Sequence, residues 1–424
     1  MTEVSAPSDP DIARHHSQSS APRSRRDVFF LLSNALFLLI SIWRGIRLPN
    51  KFSFTHILYN YDYGFVRRGI VGATFRALGS ELNCNYRFFV ILSVAILVIH
   101  FYLLLRLCNQ LSRKGWIGHL ISLIFLSSMS IPFLSHTIGY IDHVGSLLTI
   151  AIIVAKRLRT KVLLMVFAFP LLLLWHEGMA VMFLPLCTFN VIDCLIRSRD
   201  SGLQLKWNKS LSVRIGATLA LSAGLTLFAI VVNNSTNDLD DADRMYKTQS
   251  ECTAIALRAR ASSPNGDFGY LNEGFHSGLA EATRLFNIPE IRREIFAGWT
   301  ACSPVVLIFL SIGIFLISRM QIVLYLKYLY FFLFFVGGTS PLLLNVIAYD
   351  WHRWATVTIL TSFLSIHIVL HPNCSIKKLA EDCNYRRILI GTLSSIAFVI
   401  VIINFIVTMP FFDNYAMHSL AEFF

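Results

Sequence analysis

Apolar runs of near-bilayer length recur from one end of this 424-residue chain to the other. A helix needs about 20 predominantly apolar residues to cross a hydrocarbon core, and no water is present there to satisfy backbone N–H and C=O groups. Such runs have to be helices, and a chain built from them has to be a helix bundle. Composition agrees. Hydrophobic residues make up 55% of the chain and charged residues 15%, with a mean hydropathy of +0.59. A soluble domain carries about a quarter charged residues.

The expected fold is therefore all-α: a polytopic transmembrane bundle of about eleven spans, near 28–46, 88–106, 119–135, 140–155, 162–176, 179–196, 213–232, 303–318, 321–339, 355–370 and 388–409. Residues 1–27 read as a disordered basic leader, rich in Ser, Pro, Arg and His. It ends in Arg23, Arg25 and Arg26 before an apolar run with no small-residue cleavage site after it, so the first run reads as an uncleaved span. The N-terminal bundle, 28–232, includes an external segment at 47–87. An external helical loop at 233–300, a C-terminal bundle at 301–409 and an external tail at 410–424 complete the expected organisation.

The formal charge is +12. Its distribution argues for orientation rather than for a nucleic-acid partner. With the leader in the cytoplasm, the connections assigned to the cytoplasmic side hold 22 of the 37 Lys and Arg residues, as the positive-inside bias requires. That places the N-terminus in the cytoplasm and the C-terminus outside. No zinc-finger spacing or Gly-rich phosphate loop is present, and the eight cysteines form no CxxC pair. Cys252 and Cys302 flank the folded part of the long loop; a disulfide there and two free thiols are both open readings, with free thiols favoured.

Five polar motifs interrupt the apolar surroundings: YNYDYGFVRRG at 59–69, SHTIGYIDH at 135–143, WHEG at 175–178, the acidic DLDDADR at 238–244, and YDWHRW at 349–354. The derived topology puts all five on the external face. Ionisable groups at membrane depth are costly and usually functional, so this coincidence is the strongest functional signal in the chain.

The first motif joins Asp62 and the tyrosines Tyr61 and Tyr63 to Arg67 and Arg68. External connections are expected to be poor in Lys and Arg, yet 47–87 is rich in them. Arginine recognises phosphate through paired donors, which suits an anionic ligand; snorkelling to lipid headgroups is the competing reading. FVRRGIVGATFRALG has the pattern of an interfacial amphipathic helix. Asp142–His143 and His176–Glu177 each set an acid beside an imidazole at a span end, suited to general acid–base work or to hydrogen bonding between helices. His136 joins these four as a possible donor set for a divalent metal, although no HExxH or i,i+4 histidine pair is present. In YDWHRW, Asp350, His352 and Arg353 sit among Trp351 and Trp354, which fit both an aromatic belt and sugar stacking. Asp350 and Arg353 are three apart, within reach of an ion pair on a helix. The preceding GGTSP should break the helix over a lined cavity.

With these motifs at one face, the layout resembles the multi-span GT-C-class glycosyltransferases and the O-antigen polymerases. The resemblance implies a bacterial inner-membrane protein that takes a polyprenyl-phosphate-linked sugar donor and a glycan acceptor at the periplasmic face. Membrane lipids and other envelope-glycan assembly proteins are the remaining partners it implies. Asp62 would be the general base. Arg67, Arg68 and Arg353 would grip the lipid pyrophosphate, and a divalent metal would be optional. A secondary transporter or flippase of an anionic or lipid-linked substrate, and a non-enzymatic membrane scaffold, are the alternatives.

Overall fold

The computed structural model describes residues 25–49, 53–54, 57, 69–79, 82, 85–197, 209–234, 287–320, 322–346, 351–370, 391–400 and 402. Among them the chain is helical, with no β-strand. The helices in chain order are α1 (Arg25–Gly45), α2 (Gly69–Leu78), α3 (Tyr86–Ser112), α4 (Trp116–Leu126), α5 (Ser130–His136), α6 (Asp142–Val154), α7 (Leu158–Trp175), α8 (Met179–Arg197), α9 (Lys209–Asn234), α10 (Pro289–Ser318), α11 (Leu324–Thr339), α12 (Trp351–Val369) and α13 (Gly391–Ile400).

Among the described residues, seven helices are long and apolar enough to cross a membrane, and α4 with α5 makes an eighth if that pair, bent by 41°, is one broken span. The protein is thus an integral membrane helix bundle. The difference from eleven has physical causes in three elements. Helix α6 has only 13 residues, and α13 is also short. Helix α12 is long enough, but it carries His352, Arg353, His367 and a series of Thr and Ser residues. It can be polar because it is central: nearly every described residue from Arg353 to Leu370 is buried by protein rather than by lipid. Its threonine hydroxyls are satisfied locally or by its neighbour, Thr358 donating to the Trp354 carbonyl at 2.7 Å and Thr361 to that of Gly338 at 2.7 Å.

Two boundaries differ from expectation. Helix α10 begins at Pro289 rather than near 303, taking up the last part of the expected external loop; proline at the first helical position pre-sets the backbone dihedral. Cys302 lies inside α10 as a buried free thiol, and Cys252 lies outside the described residues. The GGTSP break holds in part: α11 ends at Thr339, and a 3₁₀ turn, Ser340–Val346, continues from it.

Side-chain contacts sort the helix ends into two groups. At one end, Arg47 Nε donates to the His136 carbonyl at 2.6 Å, Gly139 packs on Phe89, Gly145 on Met179, and Gly298 on His352. At the other, Asn34 bonds Asn109 at 2.8 Å and Ser112 at 3.0 Å, and Lys161 and Arg197 meet the last carbonyls of α6 and α12. Successive helices run alternately between these ends. Their close approach depends on missing side chains. A Cβ on Gly45 would lie 2.0 Å from the Pro132 carbonyl oxygen, so α1 and α5 touch backbone to backbone, as small residues permit between membrane helices.

Gly45→Ala should therefore destabilise the fold by about 1–3 kcal/mol through overpacking. Gly216, whose Cβ would meet nothing within 4 Å, is the control, and Gly216→Ala should be neutral or stabilising by up to about 1 kcal/mol. Thermal unfolding in detergent reads both.

Candidate functional site

At the first of these ends the chain between α5 and α6 turns inward over residues 137–141, with Gly139 at φ +87°, a value that suits glycine. Helix α6 therefore starts below the mouth of the bundle. Its 13 residues rise about 20 Å, some 10 Å less than a hydrocarbon core. The depth shows independently on α3. The His143 ring meets that of His100 edge-on at 5.6 Å between centroids, and His100 lies midway along the 27-residue α3.

Asp142 opens α6, and Arg353 lies in the first turn of α12. Arg353 Nε donates to Asp142 Oδ2 at 2.5 Å, and Nη2 donates to Oδ1 at 2.6 Å. The fork is bidentate, the strongest geometry available to the two groups. Both residues are buried, Asp142 at 1% and Arg353 at 6% exposure. The guanidinium carbon stands 5.3 Å from the Tyr140 ring centroid and 4.7 Å from that of Trp354, so two aromatic faces complete its surroundings. The carboxylate also lies at the N-terminus of α6, where the helix dipole favours negative charge.

His143 Nδ1 and Nε2 stand 3.0 Å and 2.8 Å from the carbonyl oxygens of Tyr140 and Leu134. The ring stitches the inward turn to α5. His176 ends α7 in an extended conformation, φ −160° and ψ 113°, and its Nδ1 accepts from the Gly178 amide at 3.1 Å. His176 and Glu177 are both partly exposed, at the turn into α8. His352 lies against α10, where a Cβ on Gly298 would fall 1.9 Å from its Nδ1. Trp351 opens α12.

Of the expected site residues, the structure joins Asp142 to Arg353, and the contact of Gly145 with Met179 brings the His176–Glu177 turn close to the start of α6. Helix α2, which follows Arg67 and Arg68 directly in sequence, packs on the Phe169–Trp175 part of α7 that leads into His176. Tyr61, Asp62, Tyr63, Arg67, Arg68 and Asp350 themselves lie outside the described residues, as does the acidic stretch at 238–244. Among the described residues, no three His, Cys, Asp or Glu side chains gather as a metal site.

Several polar residues escaped the sequence reading. Tyr140 flanks the ion pair, and Arg47 ties α1 to α5. His100, bonded through Nε2 to Ser146 Oγ at 2.7 Å, was visible as an imidazole in the middle of an apolar run. A second network occupies the opposite end. Lys161 Nζ donates to the carbonyls of Ile152 and Ile153 at 2.7 and 2.9 Å and to Asn190 Oδ1 at 2.5 Å. Arg197 bonds Asp193 at 2.7 Å and the carbonyls of Ile368 and Val369 at 3.2 and 3.0 Å, and Tyr330 donates to Asp193 at 2.8 Å.

No family model, curated protein or solved structure matches this chain.

Removing one partner of a buried ion pair leaves the other charge stranded, which costs about 3–5 kcal/mol, whereas an apolar replacement of both is often near neutral. Arg353→Ala should thus lose about that much stability, and Asp142→Leu combined with Arg353→Met should recover most of it. Thermal unfolding of the purified variants in one detergent measures the difference.

Proposed function

We propose that this protein is a membrane glycosyltransferase or glycan polymerase that takes a polyprenyl-phosphate-linked sugar at the external face of the membrane. The observation that carries the reading is the buried ion pair of Asp142 and Arg353. The bidentate pair stands at the end of the bundle where the His176–Glu177 turn and the helix following Arg67–Arg68 also arrive. A donor with a charged phosphate and a long hydrocarbon chain needs a polar site at the boundary between lipid and water.

In this reading Asp62 is the general base. It takes the proton of an acceptor hydroxyl as that oxygen forms its bond to the anomeric carbon from the face opposite the leaving group. The anomeric carbon–phosphate oxygen bond breaks, and the lipid phosphate leaves with the electron pair. Arg67 and Arg68 neutralise the charge that develops there. Tyr61, Tyr63 and Trp351 offer faces for the sugars, and His176, Glu177 and Asp350 serve as further acid–base groups. Asp142 and Arg353 hold α6 to α12.

The same reading takes the N-terminus as cytoplasmic and counts α6, α12 and α13 with the other helices as eleven crossings. The alternation of helix ends and the excess of Lys and Arg in the connections at one end support this. A secondary transporter or flippase is the second reading, favoured by the bend between α4 and α5, the π-helical turn at Leu164–Ala168 and the 3₁₀ turn at Ser340–Val346, since transporters use broken helices around charged sites.

Asp62→Asn should lower glycan formation by about 10²–10⁴-fold if the carboxylate is the base, and Arg67→Ala and Arg68→Ala should each lower it as well, all at unchanged membrane abundance. Profiling surface glycan in cells carrying each variant tests this; wild-type glycan in all three would sink the transferase reading. Loss of substrate movement in proteoliposomes, with no new glycosidic bond made by the wild type, would favour the transporter. Single cysteines at positions 62 and 350 should label from outside, and one at position 158 only from inside.

A further inference from the structure

At the end of the bundle opposite Asp142–Arg353 lies a cavity of about 400 Å³, lined among others by Ile117, Ser311, Phe315, Leu316, Leu370 and Leu393. These residues come from α4, α10, the residue following α12, and α13. Among the described residues Ser311 is the one polar side chain in the lining, and the volume is within the ordinary range of about 300–1,000 Å³ for ligand sites. Leu307, also part of the lining, is 62% exposed on the outer surface of α10. Helix α10 is one of the spanning helices, so the cavity opens sideways into hydrocarbon rather than into water.

Its mouth is basic. The Arg319 guanidinium carbon stands 5.4 Å from the centroid of Phe315, a lining ring, and Arg319 is exposed just past the end of α10. Arg113 is exposed in the turn that precedes α4 and Ile117. Lys327, on the following helix, reaches back to the Ser318 carbonyl at 3.0 Å. An apolar slot with cations at its rim complements a molecule with a hydrocarbon chain and an anionic head. Basic residues at a membrane surface attract anionic headgroups, and an arginine can fork two hydrogen bonds onto a phosphate.

We propose that this groove holds one acyl chain of an anionic phospholipid from the adjoining leaflet, with its phosphate at Arg319. The site is independent of the transferase reading, because lipid retention can be measured without any glycan being made.

The test uses full-length protein purified in detergent and exposed to equimolar phosphatidylglycerol and phosphatidylcholine, with retained lipid counted by native mass spectrometry. Wild type should retain phosphatidylglycerol with a preference of about fivefold for each basic residue engaged. Ser311→Trp fills the groove and should abolish the retained lipid. Arg319→Glu, an exposed change that leaves the lining intact, should remove the preference for the anionic head. Equal retention of the two lipids by wild type, or retention unchanged in both variants, overturns the proposal. A third arm adds polyprenyl phosphate, and its retention in preference to phosphatidylglycerol would overturn the phospholipid assignment as well.

Discussion

A charged side chain inside a membrane has to find its counter-charge in protein, because neither lipid nor water is there to supply it. That constraint organises this bundle. Asp142 at the start of α6 and Arg353 at the start of α12 satisfy one another through two short hydrogen bonds, and the geometry fixes where both helices begin. The neighbouring groups follow from it. Tyr140 and Trp354 close over the guanidinium, His143 pins the inward turn, and His100 and Ser146 satisfy each other beneath it.

The far ends of the same two helices meet the same demand in another way. Helix C-termini present carbonyls without intrahelical donors. Lys161 covers those of α6 and Arg197 those of α12. Both cations are held by one face of α8, through Asn190 and Asp193. Cations at helix C-termini also complement the dipole, so these contacts combine hydrogen bonding with favourable electrostatics. Helix α8, well buried along its length, is the post to which the two charged helices are fastened.

Much of this was legible in the sequence and some of it was not. The apolar runs located the helices, because a segment that must satisfy its own backbone has one solution. The gathering of SHTIGYIDH, WHEG and YDWHRW at one end was legible too, since helix count and length dictate which ends coincide. The pairing of Asp142 with Arg353 was not: partners 211 residues apart leave no mark in local spacing. Nor was the depth of the site, which depends on the inward turn at Gly139 and the brevity of α6. Lys161 and Arg197 read as ordinary loop charges that orient the chain, yet Lys161 is buried and Arg197 is directed onto the last carbonyls of α12. Charge in a sequence reports side; contact reports depth.

Because α6 and α12 are fastened at both ends, neither can slide past the other without stranding a charge. The breaks in helix geometry lie outside these two helices. The joint at Ser127–Met129 between α4 and α5 is one, with Ser127 and Ser128 already bonded to the carbonyls of Leu123 and Phe125. The π-helical turn within α7 is another, and α7 carries α2 on its outer segment. Hinge motions concentrate in a few residues at such joints. The protein thus has a braced keel, α6–α8–α12, with the broken helices set around it.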